Sequence, residues 1–220
     1  MKKTTPAKTT RRRGRPADEA GNLRDRLLDS AVRLFGEHGV GGTPLNRIAR
    51  DAGATPALMH YYFGNKDKLL EAIVEERILT LMAPTVNIVL NADPERPARA
   101  VIRDLTRHLI VTVDSAPWLP PLWIKEIISL EGRLRPLLIR RDVPGLFRRL
   151  AEIVARGQAE GDLNRDLEPR LFPISLIGLT MFTLASRPIW SRLPGQGDID
   201  TDDLINHVLA LLDRGLGGPP

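Results

Sequence analysis

The 220-residue sequence contains no cysteine, which excludes disulfide bonds, zinc–thiolate sites and thiol nucleophiles. Aromatic residues make up only 5%, whereas leucine, isoleucine and alanine are plentiful, and this balance favours helices. The longest apolar run, Leu171 to Ala185, has 15 residues and contains Pro173, which is too short for a membrane span. The N-terminal stretch lacks the apolar segment of a secretory signal. We therefore expect a cytoplasmic protein that has no membrane contact.

The sequence also lacks the motifs of common enzyme classes. Its histidines (His38, His60, His108 and His207) are scattered, with no HxxxH or HxxE pair. Neither a G-x-S-x-G motif, nor a P-loop, nor a dinucleotide fingerprint is present. Asp104 and His108 lie four apart on one predicted helical face, but no nucleophile accompanies them. We expect no catalysis, no metal site and no cofactor.

The positive charge is concentrated at the N-terminus. Residues 1–24 carry eight Lys or Arg against two acidic residues, whereas the whole chain has a net charge of +5. Residues 1–21 are therefore predicted to form a disordered basic arm. Within the segment "RRRGRP", Arg13 and Arg15 are suited to the narrow minor groove of A·T-rich DNA. The alternative is a generic basic tail without a defined contact.

Helical spacing of apolar residues begins at Leu23, and no convincing strand pattern follows, so the predicted fold class is all-α. Two pairs, Thr43-Pro44 and Thr55-Pro56, each combine an N-cap hydroxyl with a proline at the first helical position. Asn65 is predicted to cap a further helix that ends near Met82, before Pro84. Later helices are predicted at about 94–115, 122–131, 134–157 with an interruption at Pro144, 168–186 and 202–214.

The window from Leu45 to Gly64 fits a helix-turn-helix unit. Such a unit needs a small residue where its helices cross, and Ala49 stands at that fifth position. It needs a residue that tolerates a positive φ in the turn, and Gly53 stands at the ninth position. Five further positions must be apolar to close a small core, and they hold Ile48, Ala52, Ala54, Met59 and Tyr62.

Helical phase divides the aromatic cluster of the second helix. When Met59, Tyr62 and Phe63 face inward, the opposite face must point outward, towards the major groove of DNA. That outward face consists of Thr55, Pro56, Ala57, His60 and Tyr61.

The stretch "GATPALMHYYFGNKDKLL" resembles the signature of the tetracycline-repressor (TetR) family. The matching positions are Gly53, Thr55, Tyr62, Phe63, Lys66, Leu69 and Leu70, and the resemblance extends over roughly residues 23–80. His60 departs from the pattern, since the family usually has a phosphate-binding tyrosine there. Tyr61 stands where histidine or another variable residue is common.

The resemblance implies a role for each outward residue. Thr43 and Thr55 would bind backbone phosphates, Pro56 and Ala57 would lie against bases, and Lys66 would pair with a phosphate. His60 and Tyr61 would reach phosphates or base edges. From the residues alone, Thr43 and Thr55 could be helix caps only, and Lys66 could be a solvated surface lysine.

The resemblance also implies a domain organisation. A three-helix DNA-binding domain over residues 22–82 would precede a larger helical domain, 83–220, for ligand binding and dimerisation. The last two predicted helices would join two copies on a palindromic operator. Candidate walls of a small-molecule cavity are Met82, His108, Trp118, Trp123, Met181 and Phe182, each of which could also be plain core.

These inferences together predict a sequence-specific transcriptional regulator, a homodimeric repressor that a small molecule releases from DNA. Two alternatives come from other classes. An architectural DNA protein would bind duplexes with little sequence preference and would not respond to an effector. A helical enzyme would need a catalytic residue set, which the sequence does not offer.

Overall fold

The computed structural model describes residues 17–195 and 197–216, and every regular element in these ranges is helical. This agrees with the all-α prediction. Most of the predicted basic arm, including Arg13 and Arg15, lies outside the described residues.

Three helices form the N-terminal unit: α1 (Ala17–His38), α2 (Leu45–Asp51) and α3 (Pro56–Phe63). The predicted inward stripe of α1 is confirmed, because Leu27, Ala31, Leu34 and Phe35 are buried. The helix begins earlier than the predicted Leu23. Residues 17–21, predicted to belong to the arm, are helical, in keeping with the high helix propensity of the alanines and glutamate in this stretch.

Helix α4 joins the N-terminal unit to the rest of the chain in three continuous segments: Lys66–Ile73, a π-helical stretch Val74–Leu79, and Thr80–Leu90. The prediction that this helix ends near Met82 is wrong. Pro84 lies exposed inside the last segment, and the helix continues because Thr85 and Val89 bury their side chains in the core.

The larger C-terminal part contains seven more helical elements in the described residues. They are α5 (Ala98–Asp114), α6 (Leu119–Trp123, continued by π-helical Ile124–Ile128), α7 (Arg135–Arg140), α8 (Val143–Ala159), α9 (Phe172–Ile177, π-helical Gly178–Phe182 and Thr183–Ala185), α10 (Arg187–Trp190) and α11 (Thr201–Leu216). Helix α5 is central: it packs against α4, α8 and α11.

The interruption between α7 and α8 lies two residues before the predicted position. Asp142 has a positive φ of 55°, whereas Pro144 occupies the first turn of α8. Proline is tolerated there because its missing N–H would have no intrahelical acceptor. The left-handed backbone at Asp142, rather than the proline ring, ends the helical run.

Gly157 of α8 marks a tight crossing with α5. A Cβ at this position would lie 2.6 Å from the Cβ of Ala98 and 2.8 Å from side-chain atoms of Leu163. We expect Gly157→Ala to lower the free energy of unfolding by about 1–3 kcal/mol, because the helices must separate to admit the methyl group. Gly41→Ala is the control, since a Cβ there meets nothing within 4 Å. Urea denaturation at fixed protein concentration measures the free energy of unfolding of both variants. Equal values would contradict a tight helix crossing at Gly157.

Within residues 17–195 and 197–216, none of the helices combines the length and the apolar composition that a membrane span requires. In the same part of the chain, no group of three or more His, Asp or Glu residues is arranged to hold a metal ion.

Candidate nucleic-acid interface and apolar cavity

Helices α2 and α3 form the helix-turn-helix with the predicted core. Ile48 and Ala49 are fully buried, and Met59 and Phe63 are nearly so. Gly53 has a φ of 68°, so the turn uses the left-handed conformation that favours glycine. The Ala54 N–H donates to the Ala49 carbonyl at 2.8 Å and closes the turn. These contacts fix α3 against α2.

Tyr62 also packs inward, partly buried against the core, while its neighbour Tyr61 is 80% exposed. Their rings meet edge to face, with centroids 5.3 Å apart. Phe63 belongs to the same buried side. The guanidinium carbon of Arg24 lies over the Phe63 ring, 5.0 Å from the ring centroid. The predicted division of the aromatic cluster by helical phase is therefore present in the structure.

The outward face of α3 is exposed as predicted; it comprises Thr55, Pro56, Ala57, His60 and Tyr61. Thr55 caps the helix, since its hydroxyl oxygen accepts the Leu58 N–H at 3.3 Å. His60 Nδ1 lies 2.8 Å from the Gly64 carbonyl oxygen and donates to it. His60 therefore presents Nε2 outward, an acceptor when the ring is neutral and a donor when it is protonated.

Thr43 does not belong to this exposed face. Its side chain is fully buried, and its hydroxyl donates to the Gly39 carbonyl at 2.8 Å. Its N–H donates to the Val40 carbonyl at 3.3 Å, and Pro44 rather than Thr43 is the N-cap of α2. The predicted phosphate contact of Thr43 is wrong, because both of its donors are engaged inside the unit.

Lys66 is also held within the protein. Its ammonium donates to the Val40 carbonyl and lies 5.9 Å from the ring centroid of Phe35. Burial, with the nearby Arg133 guanidinium, lowers the pKa of Lys66. The structure thus gives this lysine an internal hydrogen bond, and its phosphate contact stays a prediction.

Sequence reasoning did not single out two exposed cations beside the recognition helix. Arg47 lies on α2, with its guanidinium 2.6 Å from His38 Nε2, and Lys68 lies in the first turn of α4. Their exposure and their positions on the helices before and after α3 make them candidates for phosphate contacts. A lysine or arginine on a predicted outer helix face was the only available signal.

The C-terminal part encloses a cavity of about 120 Å³ between α4, α5, α6, α8 and α9. Its lining side chains are aliphatic, aromatic or thioether groups. Their polar groups are the indole N–H of Trp123 and the hydroxyl of Thr85, which lies 3.3 Å from that of Thr112. Three predicted wall residues, Met82, Trp123 and Met181, line it. Helices α4, α6 and α9 each contribute a wall residue within or next to their π-helical segment, a local geometry frequent at functional sites.

Three other predicted wall residues lie elsewhere. His108 is exposed, because the inward stripe of α5 runs through Leu105 and Leu109 instead. Phe182 is 69% exposed, since its neighbour Met181 takes the inward phase of α9. Trp118 borders an open groove beside α1. These three predictions were wrong because aromatic character alone does not indicate which side of a helix faces the cavity.

The helix-turn-helix and its flanking helices match a known family. Residues 27–73 fit the family described as bacterial regulatory proteins, tetR family. This region of the chain belongs to the TetR family. The protein is a DNA-binding transcriptional regulator, and since the family consists of regulatory proteins, the expectation of a regulator rather than an enzyme is confirmed.

Relatives with assigned roles share this part and more. The transcriptional repressor NicS of Pseudomonas putida is 28% identical over 153 residues, which cover 63% of this chain and 72% of NicS. The regulator BetI of Brucella abortus is 32% identical over 99 residues, which cover 44% of this chain and only 50% of BetI.

Solved structures extend the likeness to the whole fold. The ketosteroid transcriptional regulator KstR2 of Mycobacterium tuberculosis aligns with a TM-score of 0.71 at 16% identity, covering 88% of this chain and 94% of that chain. The regulator FadR of Bacillus subtilis, solved in complex with stearoyl-CoA, aligns with a TM-score of 0.64 at 20% identity. That alignment covers 87% of this chain and 98% of FadR. At these identities the likeness establishes the fold alone.

Proposed function

We propose that this TetR-family regulator is a homodimeric, cytoplasmic repressor that binds a palindromic operator and leaves it when an apolar small molecule enters the cavity. The observation that carries the proposal is the two-sided recognition helix. Met59 and Phe63 anchor one side of α3 in the core, while the other side presents Thr55, His60 and Tyr61 to the outside. A helix held in this way can enter the major groove without losing its own packing.

The N-terminal arm complements this face electrostatically. Residues 25–75 carry six Lys or Arg against seven Asp or Glu, so the helical unit contributes no net attraction to DNA. Arg13 and Arg15, which are outside the described residues, carry positive charge shortly before this unit in the sequence. We infer that the arm provides much of the long-range attraction and that α3 provides sequence readout.

Deleting residues 1–16 should therefore reduce the salt dependence of operator binding. If the arm neutralises about five phosphates, the slope of log affinity against log salt loses about 4–5 in magnitude. A shorter deletion, residues 1–8, removes three of the seven Lys or Arg and is the graded control. Fluorescence anisotropy at several salt concentrations measures the slopes, and an unchanged slope in the longer deletion would show that the arm makes no phosphate contact.

Dimerisation is supported by an apolar stripe on α9. Leu171, which directly precedes α9, and Ile174 and Phe182 within it are 60%, 55% and 69% exposed and recur at helical spacing. A Cβ added at Gly178, between Ile174 and Phe182, would meet nothing within 4 Å. Leu211 on the last helix, α11, is also 48% exposed. Large apolar side chains in such a row lose contact with water when a second copy packs on them. We propose this stripe as the dimer interface, which would set two recognition helices at a fixed spacing.

The effector is inferred from the cavity walls. No charged side chain lines the cavity, so a ligand inside it must place a neutral, mostly hydrocarbon part there. A cavity of about 120 Å³ is compact, and engineered cavities of about 150 Å³ hold molecules the size of benzene. A longer ligand would have to displace α4, α6 or α9, and that displacement is the proposed signal.

Selection of fragments bound from genomic DNA tests the proposal directly. We expect recovery of fragments that share an inverted repeat, followed by their release in a screen of neutral apolar compounds. Recovery of fragments without a common sequence would favour an architectural DNA protein instead.

A cavity-filling variant separates DNA binding from effector response. Met181→Trp should leave operator affinity within about threefold of the original, because Met181 lies far along the chain from the recognition helix and the added ring enters the cavity. The releasing compound found in the screen should lose at least about tenfold in potency, since its space is occupied. Leu130→Trp, at a 93% exposed position outside both the cavity lining and the α9 stripe, is the control for release. Retained potency in Met181→Trp would place the effector elsewhere.

A further inference from the structure

The end of α1 is bonded directly to α6, the helix that carries the cavity residue Trp123. The Lys125 ammonium donates to the Gly36 carbonyl at 2.8 Å and to the Glu37 carbonyl at 2.5 Å. Carbonyls in the last turn of a helix have no intrahelical donor, and a cation there is favoured by the helix dipole. Gly36 allows this approach, because a Cβ there would lie 3.1 Å from the Trp118 carbonyl oxygen.

The next residue, Glu126, holds the loop after α1. Its side chain is only 5% exposed, and one carboxylate oxygen accepts the Val40 N–H at 2.7 Å. The other oxygen accepts the Arg133 N–H at 3.2 Å. Gly39 is left-handed at φ 73°, and a Cβ there would lie 3.3 Å from the same carboxylate, so the loop passes close to Glu126.

The peptide groups of Val40 connect this carboxylate to the DNA-binding unit. Val40 donates its N–H to Glu126, and its carbonyl accepts a hydrogen bond from the Lys66 ammonium. We call these three residues the Val40 clamp. Lys66 is the first residue of α4 and follows the recognition helix by three positions. Arg133 adds an ion pair to Asp67 at 2.5 Å. The clamp thus holds the start of α4, and with it the end of α3, against α6.

A gain in folding stability does not by itself explain a buried carboxylate at this position. A carboxylate loses hydration when it is buried, and a well-packed hydrocarbon side chain is often at least as stabilising. Glu126 instead fixes the relative position of two segments, because its carboxylate accepts one N–H group from each of them. This role fits a residue that sets the position of the loop rather than one that only fills the core.

The segment that carries Glu126 is hydrogen-bonded in a register that differs from that of an α-helix. Ile124–Ile128 is π-helical, and the Ser129 N–H donates to the Ile124 carbonyl at 3.1 Å, five residues back. A change to α-helical bonding shifts the register by one residue, which rotates the following side chains by about 100°. Trp123, immediately before this segment, lines the cavity. A ligand that displaces Trp123 therefore acts on the segment that orients Glu126.

We propose that Glu126 is a positioning residue that transmits the state of the cavity from Trp123, through the Val40 clamp, to the recognition helix. This inference rests on the proposed function. Displacement of Trp123 withdraws the carboxylate from Val40, frees the loop and Lys66, and lets α3 leave its operator-binding orientation. By thermodynamic reciprocity, operator binding must also act backwards on the surroundings of Trp123.

That reciprocity gives a test that needs no effector. In the full chain, Trp118 and Trp190 are replaced by phenylalanine, which leaves Trp123 as the single tryptophan. The selected operator duplex is titrated while the Trp123 emission and the DNA affinity are recorded. We expect the emission to change on operator binding in this background. In Glu126→Gln, which keeps the side-chain size but sets an amide N–H against the Arg133 N–H, the change should be lost and affinity should fall by about 5- to 150-fold.

Two further variants make the outcome decisive. Lys125→Met removes the bonds to the end of α1 without touching the buried carboxylate, and it should also weaken the emission response. Glu131→Gln, at an exposed position of the same region, should leave it unchanged. If the background protein binds no duplex, the proposed function itself fails. If it binds the operator but Trp123 does not respond, or if Glu126→Gln and Lys125→Met keep the full response of the background protein, the inference is overturned.

Discussion

Phe182→Glu should convert the protein to a monomer and lower operator affinity by about 100-fold or more. The side chain is 69% exposed within one chain, so the charge does not disturb the fold of the subunit. In the proposed dimer it would face its own copy, where a buried unpaired carboxylate is strongly unfavourable. Two linked recognition helices gain about 10²–10⁴ in avidity over one, and the monomer loses that gain.

Light scattering after size-exclusion chromatography measures the mass, and anisotropy with a full palindrome and with a half-site measures affinity. The half-site should bind the variant and the original protein about equally, since α3 is unchanged. Leu130→Glu is the matched control, because Leu130 is 93% exposed and belongs to the segment between α6 and α7 rather than to the α9 stripe. A dimeric Phe182→Glu with full operator affinity would remove the α9 stripe from the dimer interface.

Tyr61→Ala should weaken binding to the operator by about 5- to 150-fold while affecting random duplex by less than about threefold. Tyr61 is 80% exposed, and its ring meets Tyr62 edge to face, so the side chain is held at the outer surface of α3. In the proposed complex the substitution removes a groove contact, and it does not open the core. Phosphate attraction, which dominates non-specific binding, stays with the cationic residues.

Competition binding with operator and scrambled duplexes separates the two effects. Tyr61→Phe keeps the ring and removes the hydroxyl, so its intermediate loss would assign part of the readout to hydrogen bonding. Thermal unfolding of both variants should match that of the original protein, because the position is solvent-exposed. Equal losses on both duplexes would argue against sequence readout by Tyr61.

The helix-turn-helix could be predicted almost completely because its requirements are local. Ala49 at the crossing, Gly53 in the turn and Met59 on the inner side occupy positions fixed by chain distance and helical phase alone. The same phase argument separated exposed Tyr61 from partly buried Tyr62 correctly. Helices and turns this short allow few alternative arrangements, so the sequence alone was sufficient to predict the helix-turn-helix.

Thr43 and Lys66 show which contacts local reasoning could not reveal. Both match what a phosphate contact requires in residue type and position, yet one is buried with its hydroxyl on Gly39 and the other bonds to Val40. Their partners lie in the loop after α1, whose path depends on α6 more than eighty residues later in the chain. A pattern within α2 to α4 contains no information about that contact.

Only some of the predicted cavity residues line the cavity, for a related reason. Met82, Trp123 and Met181 face the interior, whereas His108, Trp118 and Phe182 do not, although all six have similar apolar or aromatic character. The π-helical segments in α4, α6 and α9 change the side-chain phase within a helix, and no sequence periodicity revealed them.

The sequence by itself determined the all-α class, the family and the two-sided recognition helix, because hydrophobic phase, caps and a left-handed glycine act over only a few residues. Only the tertiary structure decided which polar groups remain available at the surface, which side chains enclose the cavity, and how Glu126 meets Val40. Those properties depend on contacts between segments far apart in the chain, where small changes in helix register and crossing decide which atoms come within bonding distance.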